Sequence, residues 1–496
     1  MTITKTDFMT FRNCASDFWM KKHKPELFED IQHSDFEKQL IEQGYEVERL
    51  AQKLFPEGID AKLVNANHLS KLLHVQDSIL FQPTFATDHL QARVDILKVA
   101  EDGLQIFEVK GSTSKDKPKA DYLWDVGFQK EVIERVGHKV SKVFLVELNK
   151  EFIKDGPIHP NDIFTITDVS QEIIDNNIEV KMEIDNAQKR LSDLTQPASC
   201  DCYYKIRKNH CHSFTHFYTL PHYAVHDITR ITKTKIDKFQ AAGVESIDDI
   251  TQYDLLTDIQ LNQVTTHQND QVILRHQDIQ KALAKLEYPL YFLDYETYPA
   301  AIPVFDGCFP YQQVTFQYSL HIQYEPDGPL EHREYLDTEA TSPLRSIAAS
   351  LRKDIGDCGS VIVWNQSFEG GRNTELATAL PEIEDFLLRL NTRFFDLMKI
   401  FSNQFYVHKA FKGKTSIKKV LPVLCPELSY DGFGIKEGGA ASNAWRSMIF
   451  DDIGLEQKEL IAQDLLAYCK LDTYAMFAIL DHLITLLNKK QENGAI

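Results

Sequence analysis

Apolar and polar residues alternate most plainly between Ala92 and Gly111. Val94, Ile96 and Val99 are apolar, Glu101-Asp102-Gly103 is turn chemistry, and Leu104, Ile106, Phe107 and Val109 resume the pattern. This predicts two short strands joined by a turn. Upstream, residues 41–55 carry Val47, Leu50, Ala51, Leu54 and Phe55 at helical spacing, closed by Pro56. Downstream, residues 121–136 set Trp124, Phe128, Val132 and Val136 on one helical stripe, and 140–148 reads as a further strand. A strand-rich centre flanked by helices means an α/β fold.

The later chain has its own pattern. Residues 231–250 read as a short helix, a turn at Gly243 and a second helix capped near Ser246. This resembles a helix-hairpin-helix unit gripping a nucleic-acid backbone with Lys233, Lys235 and Lys238, and a plain helical linker reads equally well. Residues 288–297 have a buried-strand pattern that delivers Asp294 and Glu296 onto one face. Residues 361–364 form another apolar strand running into Asn365-Gln-Ser-Phe-Glu369, and 465–476 is a strong helix with Tyr468 and Asp472 one turn apart.

A length of 496 residues exceeds one core, and the pattern shifts suggest three pieces: 1–215, 216–285 and 286–496. No apolar run reaches the roughly 20 residues needed to span a bilayer, and the first residues lack a signal-peptide core. A cytoplasmic location without membrane partners is therefore expected. The net charge of −19 argues against a histone-like basic binder, but not against an enzyme acting on nucleic acid through local basic patches.

Two carboxylate groups could carry chemistry. Asp95 on the first strand of the early hairpin, with Glu108 and Lys110 two apart on the second, could hold a divalent cation and activate water beside a phosphate. A half-exposed charged hairpin fits the same pattern. In the later chain a lone Asp-x-Glu carries little weight, about two being expected by chance. Glu369 alone reads as a helix-dipole acid and Asp472 alone as a solvated one. In order, however, acids from a first strand, a following segment and a C-terminal helix are what two metal ions about 3.5–4 Å apart require. Of eight cysteines, Cys14 and the trio Cys200, Cys202 and Cys211 bracket the first piece. Four thiolates suit either tetrahedral zinc or an iron–sulfur cluster, and His210 and His212 keep a mixed-ligand zinc site open.

On these residues the first piece resembles the RecB-type nucleases of the PD-(D/E)XK restriction-endonuclease-like superfamily, in the branch with a cysteine-bound iron–sulfur cluster. Asp95, Glu108 and Lys110 match its acid, acid and lysine. Glu48 stands where many relatives carry a metal-contacting histidine, and Gln129 matches the glutamine of the next helix. The trio reads Cys-x-Cys-x8-Cys where the branch has Cys-x2-Cys-x5-Cys, which leaves the cluster type open. The last piece resembles a DEDD exonuclease on an RNase H-like mixed sheet: Asp294 and Glu296 match the first motif, 365–369 the second, and Tyr468 with Asp472 the third, giving the DEDDy subtype. Glu369 stands where aspartate is usual, and Asp396 is a lesser candidate. Together the halves, with 414–422 and 468–473, resemble the bacterial domain-of-unknown-function 2779 family, a RecB-type nuclease fused to such an exonuclease. The resemblance implies a nuclease with two sites acting on nucleic acid, DNA favoured over RNA, in repair, recombination or phage defence. Inactive nucleic-acid-binding halves, or an RNA-processing exonuclease, are the alternatives. Its implied cofactors are Mg²⁺ or Mn²⁺ at Asp95, Glu108, Glu48, Asp294, Glu296, Glu369 and Asp472, and a 4Fe-4S cluster on the four cysteines, with Zn²⁺ as the alternative.

Overall fold

The alternating segments around residue 100 pair into a mixed six-stranded sheet. The computed structural model describes residues 1–29 and 35–493. The strand order is Ile59–Asp60, Ile79–Phe81, Ile96–Ala100, Gly103–Thr113, Val140–Leu148, Phe164–Asp168. Gly103–Thr113 runs antiparallel to Ile96–Ala100 and parallel to Val140–Leu148. The parallel pair needs a crossover, which the helix Ala120–Arg135 supplies. Phe128, Val132 and Ile133 from that helix join Phe8 and Phe18 in one core. Val47 and Ala51, from the helix Asp35–Gln52, join Phe107 and Val146 in a second.

One expectation needs correction here. Asp95 does not lie within a strand. Leu90–Arg93 belongs to a separate three-stranded sheet with Ile3–Thr4 and Thr84–Ala86, so Val94 and Asp95 form the step between two sheets. Backbone bonds from Val94 to Pro83 and from Gln82 to Asp95 hold that step.

These elements belong to a unit comprising Met1–Thr219 and Ala300–Tyr311. Its second segment is tied in by polar contacts. Gln43 accepts from the Ala301 amide at 3.1 Å, Lys154 exchanges backbone bonds with Gly307 and Cys308, and the Tyr311 hydroxyl donates to the Gly111 carbonyl.

The second unit comprises Leu220–Pro299 and Gln312–Ile496. Its five-stranded sheet has the order Leu330–Leu336, Gln313–Gln323, Leu290–Pro299, Ser360–Val363, Phe394–Asp396. The first three strands are antiparallel and the last two add in parallel. Leu290–Pro299 is thus central, and Phe292 packs in one core with Ile362, Leu421 and Ile479. The long helix Leu455–Asn493 is pinned to the sheet by Gln317, which donates to the Leu465 carbonyl at 2.9 Å.

Residues 220–285, expected as part of a separate middle piece, fall within this second unit. Ile273–Leu274 pairs with Tyr406–Val407, and Thr229 donates to the Gly413 carbonyl at 2.8 Å. The second helix expected at Ser246 is only a 3-10 turn, Ile247–Asp249. The Ser246 hydroxyl accepts from the Asp248 amide, and two successive aspartates after a β-branched residue propagate a helix poorly.

Candidate functional site

Each unit gathers buried carboxylates. In the first, the strand Gly103–Thr113 presents Glu108 and Lys110 on one face, as their spacing requires. Glu108 accepts three side-chain hydrogen bonds. Its Oε1 accepts from Lys110 and from Lys5, each at 2.8 Å, and its Oε2 accepts from Gln129 at 2.7 Å. Asp125 completes the group through an ion pair with Lys110 and a 3.5 Å approach to Lys5. Asp95 stands on the other side, accepting from the Val109 amide at 2.9 Å and from Gln82 at 3.2 Å, and Gln82 also bridges to Glu48.

Burial alone would raise the Glu108 carboxyl, but Lys110 and Lys5 outweigh it and hold it well below the usual range. Burial and then the nearby Glu108 charge push Asp95 well up, and Lys5 offsets only part of this. Burial chiefly raises Glu48 as well. Asp95 and Glu48 line a cleft of about 740 Å³, whose walls include Lys5, Arg49, Lys62 and Arg93.

Lys5, Asp125 and Gln82 were not among the residues singled out from the sequence. Lys5 leaves one local signal. It is the first residue of the helix Lys5–Asn13, behind a Thr4–Asp7 capping box. A cation there is disfavoured by the helix dipole, and Glu108 offsets this at 2.8 Å. Gln82 has φ +56°, a left-handed backbone that costs about 1–3 kcal/mol outside glycine and clusters at functional sites.

The cysteine bracket closes in space. Cys14 caps the helix Ala15–His23 and lies 3.5 Å from Cys200, which lies 3.3 Å from Cys211, sulfur to sulfur. With Cys202, all four sulfurs fall within 4.8 Å of one another, a grouping that could hold a metal. His210 is not in that set. Its Nε2 meets the Lys205 carbonyl at 2.9 Å and its ring stacks on Phe214. His212 packs edge-on to Phe28 instead.

In the second unit Asp294 and Glu296 come from the central strand, just before an irregularity at Glu296/Thr297. Glu369 comes from the first turn of the helix Gln366–Ala379, and Tyr468 and Asp472 from the long helix Leu455–Asn493. Glu296, Glu369, Tyr468 and Asp472 are all buried. Burial, then Asp472, Glu296 and Glu369, push Asp294 well above the carboxylate range. Burial and Asp472 raise Glu296 to about 8. Burial, with Asp396 adding, raises Glu369 to about 8. Asp472 reaches only about 6, because Tyr430, Lys418 and Tyr468 offset its burial.

Residues not foreseen individually surround this group. The Tyr430 hydroxyl donates to Asp472 at 2.5 Å, and Lys418 donates to the Tyr468 hydroxyl at 3.0 Å. Cys469 lies 3.8 Å from Asp294 Oδ2. Gly438 borders Glu296, where a Cβ would sit at ordinary contact distance, 3.6 Å, from Oε2. Glu369 Oε2 and Asp396 Oδ1 are buried without a hydrogen-bond partner. A buried carboxylate oxygen in that state calls for a cation or water.

The family described as "Domain of unknown function (DUF2779)" matches residues 291–416, a stretch that includes Asp294, Glu296, Glu369 and Asp396. The chain is similar to an uncharacterized MG366 homolog of Mycoplasma pneumoniae, 26% identical over 212 residues, covering 39% of this chain and 32% of that protein. Uncharacterized protein MG366 of Mycoplasma genitalium is 24% identical over 225 residues, covering 41% and 33%. Uncharacterized protein UU173 of Ureaplasma parvum is 28% identical over 236 residues, covering 43% and 34%. The matches span about a third of the length of these relatives.

Proposed function

We propose that this protein is a metal-dependent nuclease whose principal catalyst is the carboxylate group of the second unit. The observation that carries the reading is that Asp294 and Glu296 gather with Cys469 in a group that could hold a metal, with Asp472 and Glu369 near enough to raise the proton affinity of Asp294. Crowded acids of this kind suit divalent cations, which keep them ionised. The partnerless Glu369 Oε2 fits that donor set. Mg²⁺ or Mn²⁺ bound there would supply a Lewis acid and a nucleophilic water.

The chain's own residues do the rest. Asp294, Glu296 and Asp472 would hold the cations from one strand and one helix, with Glu369 as a further donor from the helix Gln366–Ala379. The Tyr468 hydroxyl is far too weak an acid to ionise, because burial and then Asp472 raise it. It therefore stays protonated and donates a hydrogen bond, and Lys418 fixes its oxygen so that it can orient water at the scissile phosphate. The resemblance to DEDDy exonucleases favours a 3′ end, and DNA over RNA.

The first unit is read differently. Glu108 already spends its oxygens on Lys5, Lys110 and Gln129. With Glu108 committed to two lysines, no hydrolytic step is derived from this half. Arg49, Lys62 and Arg93 in the cleft, beside Glu48, Asp60 and Asp95, offer cations to a phosphate backbone, which favours a nucleic-acid-binding role for this half.

The test is cleavage of 3′- and 5′-labelled single-stranded DNA, duplex DNA and RNA, with Mg²⁺ or Mn²⁺, by wild type, Asp294→Asn and Lys110→Met. The expected result is shortening from the 3′ end by wild type and Lys110→Met, and none by Asp294→Asn. Equal inertness of wild type and Asp294→Asn on every substrate refutes the enzyme. Loss of cleavage in Lys110→Met alone moves the catalyst to the first unit.

A further inference from the structure

We infer that the four-cysteine centre of the first unit holds one tetrahedral metal ion of the zinc class, and not the iron–sulfur cluster that the resemblance implies. The argument is geometric. A Zn–S bond of about 2.3 Å places the sulfurs of a tetrahedral site about 3.8 Å apart. In a 4Fe-4S cubane each cysteine is pushed outward by its own iron, and the sulfurs stand on the order of 6 Å apart. Here Cys14–Cys200 is 3.5 Å and Cys200–Cys211 is 3.3 Å. All four sulfurs lie within 4.8 Å of one another. The cubane does not fit; a single ion at the centre does. A disulfide does not fit either, since an S–S bond is about 2.05 Å and all four thiols are free.

The surroundings agree with a closed structural site. Cys14, Cys200 and Cys202 are buried. The Asp17 amide points at the Cys14 sulfur and the Cys202 amide at the Cys200 sulfur, each at 3.4 Å. Such N–H donors stabilise thiolates from the outer shell. Asp17 in turn accepts from the amide and hydroxyl of Ser213, at 2.9 and 2.6 Å, tying both ends of the bracket together.

The segment also needs such a tie. Between Ser192 and Thr219 its regular structure is three 3-10 turns, Asp201–Tyr204, Arg207–Asn209 and His212–His216. Turns this short do not hold themselves. One ion gripping Cys200, Cys202 and Cys211 against Cys14 fixes this segment to the helix Ala15–His23, and its binding energy becomes folding energy.

The experiment uses the full chain, purified both aerobically and under strict anaerobiosis. Metal and acid-labile sulfide are measured, followed by replacement of the ion with Co²⁺. The expected result is one equivalent of zinc, no inorganic sulfide, a colourless protein in both preparations, and the intense ligand-field spectrum of tetrahedral thiolate-bound Co²⁺. Cys202→Ser weakens that spectrum, while Cys358→Ser, at an exposed cysteine outside the centre, leaves it intact. Brown anaerobic protein with iron and sulfide in equal amounts overturns the inference. So does protein without metal whose four cysteines are oxidised in pairs. Should Cys202→Ser fail to fold, the wild-type cobalt spectrum and sulfide content decide alone.

Discussion

Replacing Glu296 with glutamine keeps the shape of a buried side chain and removes its charge. In the folded protein without metal, burial and Asp472 hold Glu296 at about 8, against 4.5 ordinarily. The folded state therefore binds this proton more tightly than the unfolded state does. Stability from this group is full below about pH 4.5 and is lost as pH rises toward 8. Near pH 7.5 the gap spans about three units, at about 1.4 kcal/mol each, or a ceiling of about 4 kcal/mol. Part of the repulsion is shared with Asp472, so the release on substitution is about 2 kcal/mol. For a unit of this size that is roughly 5 °C of melting temperature. Thermal melts in chelator near pH 7.5 should therefore show Glu296→Gln more stable than wild type, with the difference vanishing near pH 5. Adding Mn²⁺ should reverse the order, because wild type gains the larger ligand-binding term. A variant that melts below wild type in chelator near pH 7.5, or an equal gain from Mn²⁺ in both, would refute the reasoning.

Three further outcomes are expected. Lys5→Met leaves Glu108 and Asp125 short of a cation and should cost the first unit about 2 kcal/mol, discounted for the partial exposure of Lys5. Hydrogen exchange across the helix Lys5–Asn13 reads this, and unchanged protection would contradict it. Lys418→Met and Tyr468→Phe should each slow cleavage by roughly 10²-fold, with a double variant little worse than either; fully additive losses would separate the two residues. His321 meets Thr473 at 2.8 Å, and burial, then His332 and Lys470, press its pKa from 6.5 to about 3. The unfolded chain then takes up this proton first, so stability falls as pH drops from about 6.5. The urea midpoints of wild type and His321→Gln should accordingly converge toward about pH 4, and a constant gap would exclude the effect.

Local pattern was legible wherever one element decides it. Residues 140–148 form the strand Val140–Leu148 and residues 121–136 the helix Ala120–Arg135, each within a residue of expectation. Glu108 and Lys110 share a face because strand geometry demands it. What stayed hidden was set by distant partners. Lys5 meets Glu108 across 103 residues and Lys418 meets Tyr468 across 50, separations to which no periodicity speaks. Asp95 read as mid-strand because Val94 and Ile96 continue the alternation, yet backbone pairing switches sheets between them. Spacing places two acids and a lysine together, but only three dimensions reveal how many cations already occupy one of them.

The return of Ala300–Tyr311 to the first unit has a consequence for how the chain is made. Gln43, Gly111 and Lys154 find their partners in that segment, which emerges from the ribosome long after residue 219. At about 5–20 residues per second, the first unit waits several seconds with those groups exposed. By then the strand Leu290–Pro299 of the second unit has already been synthesised. A polypeptide cut at residue 219 never receives the missing segment, so it should be a poorer folder than its own hydrophobic core suggests. Synthesis of the two units is interleaved, and neither can be lifted out by a single cut.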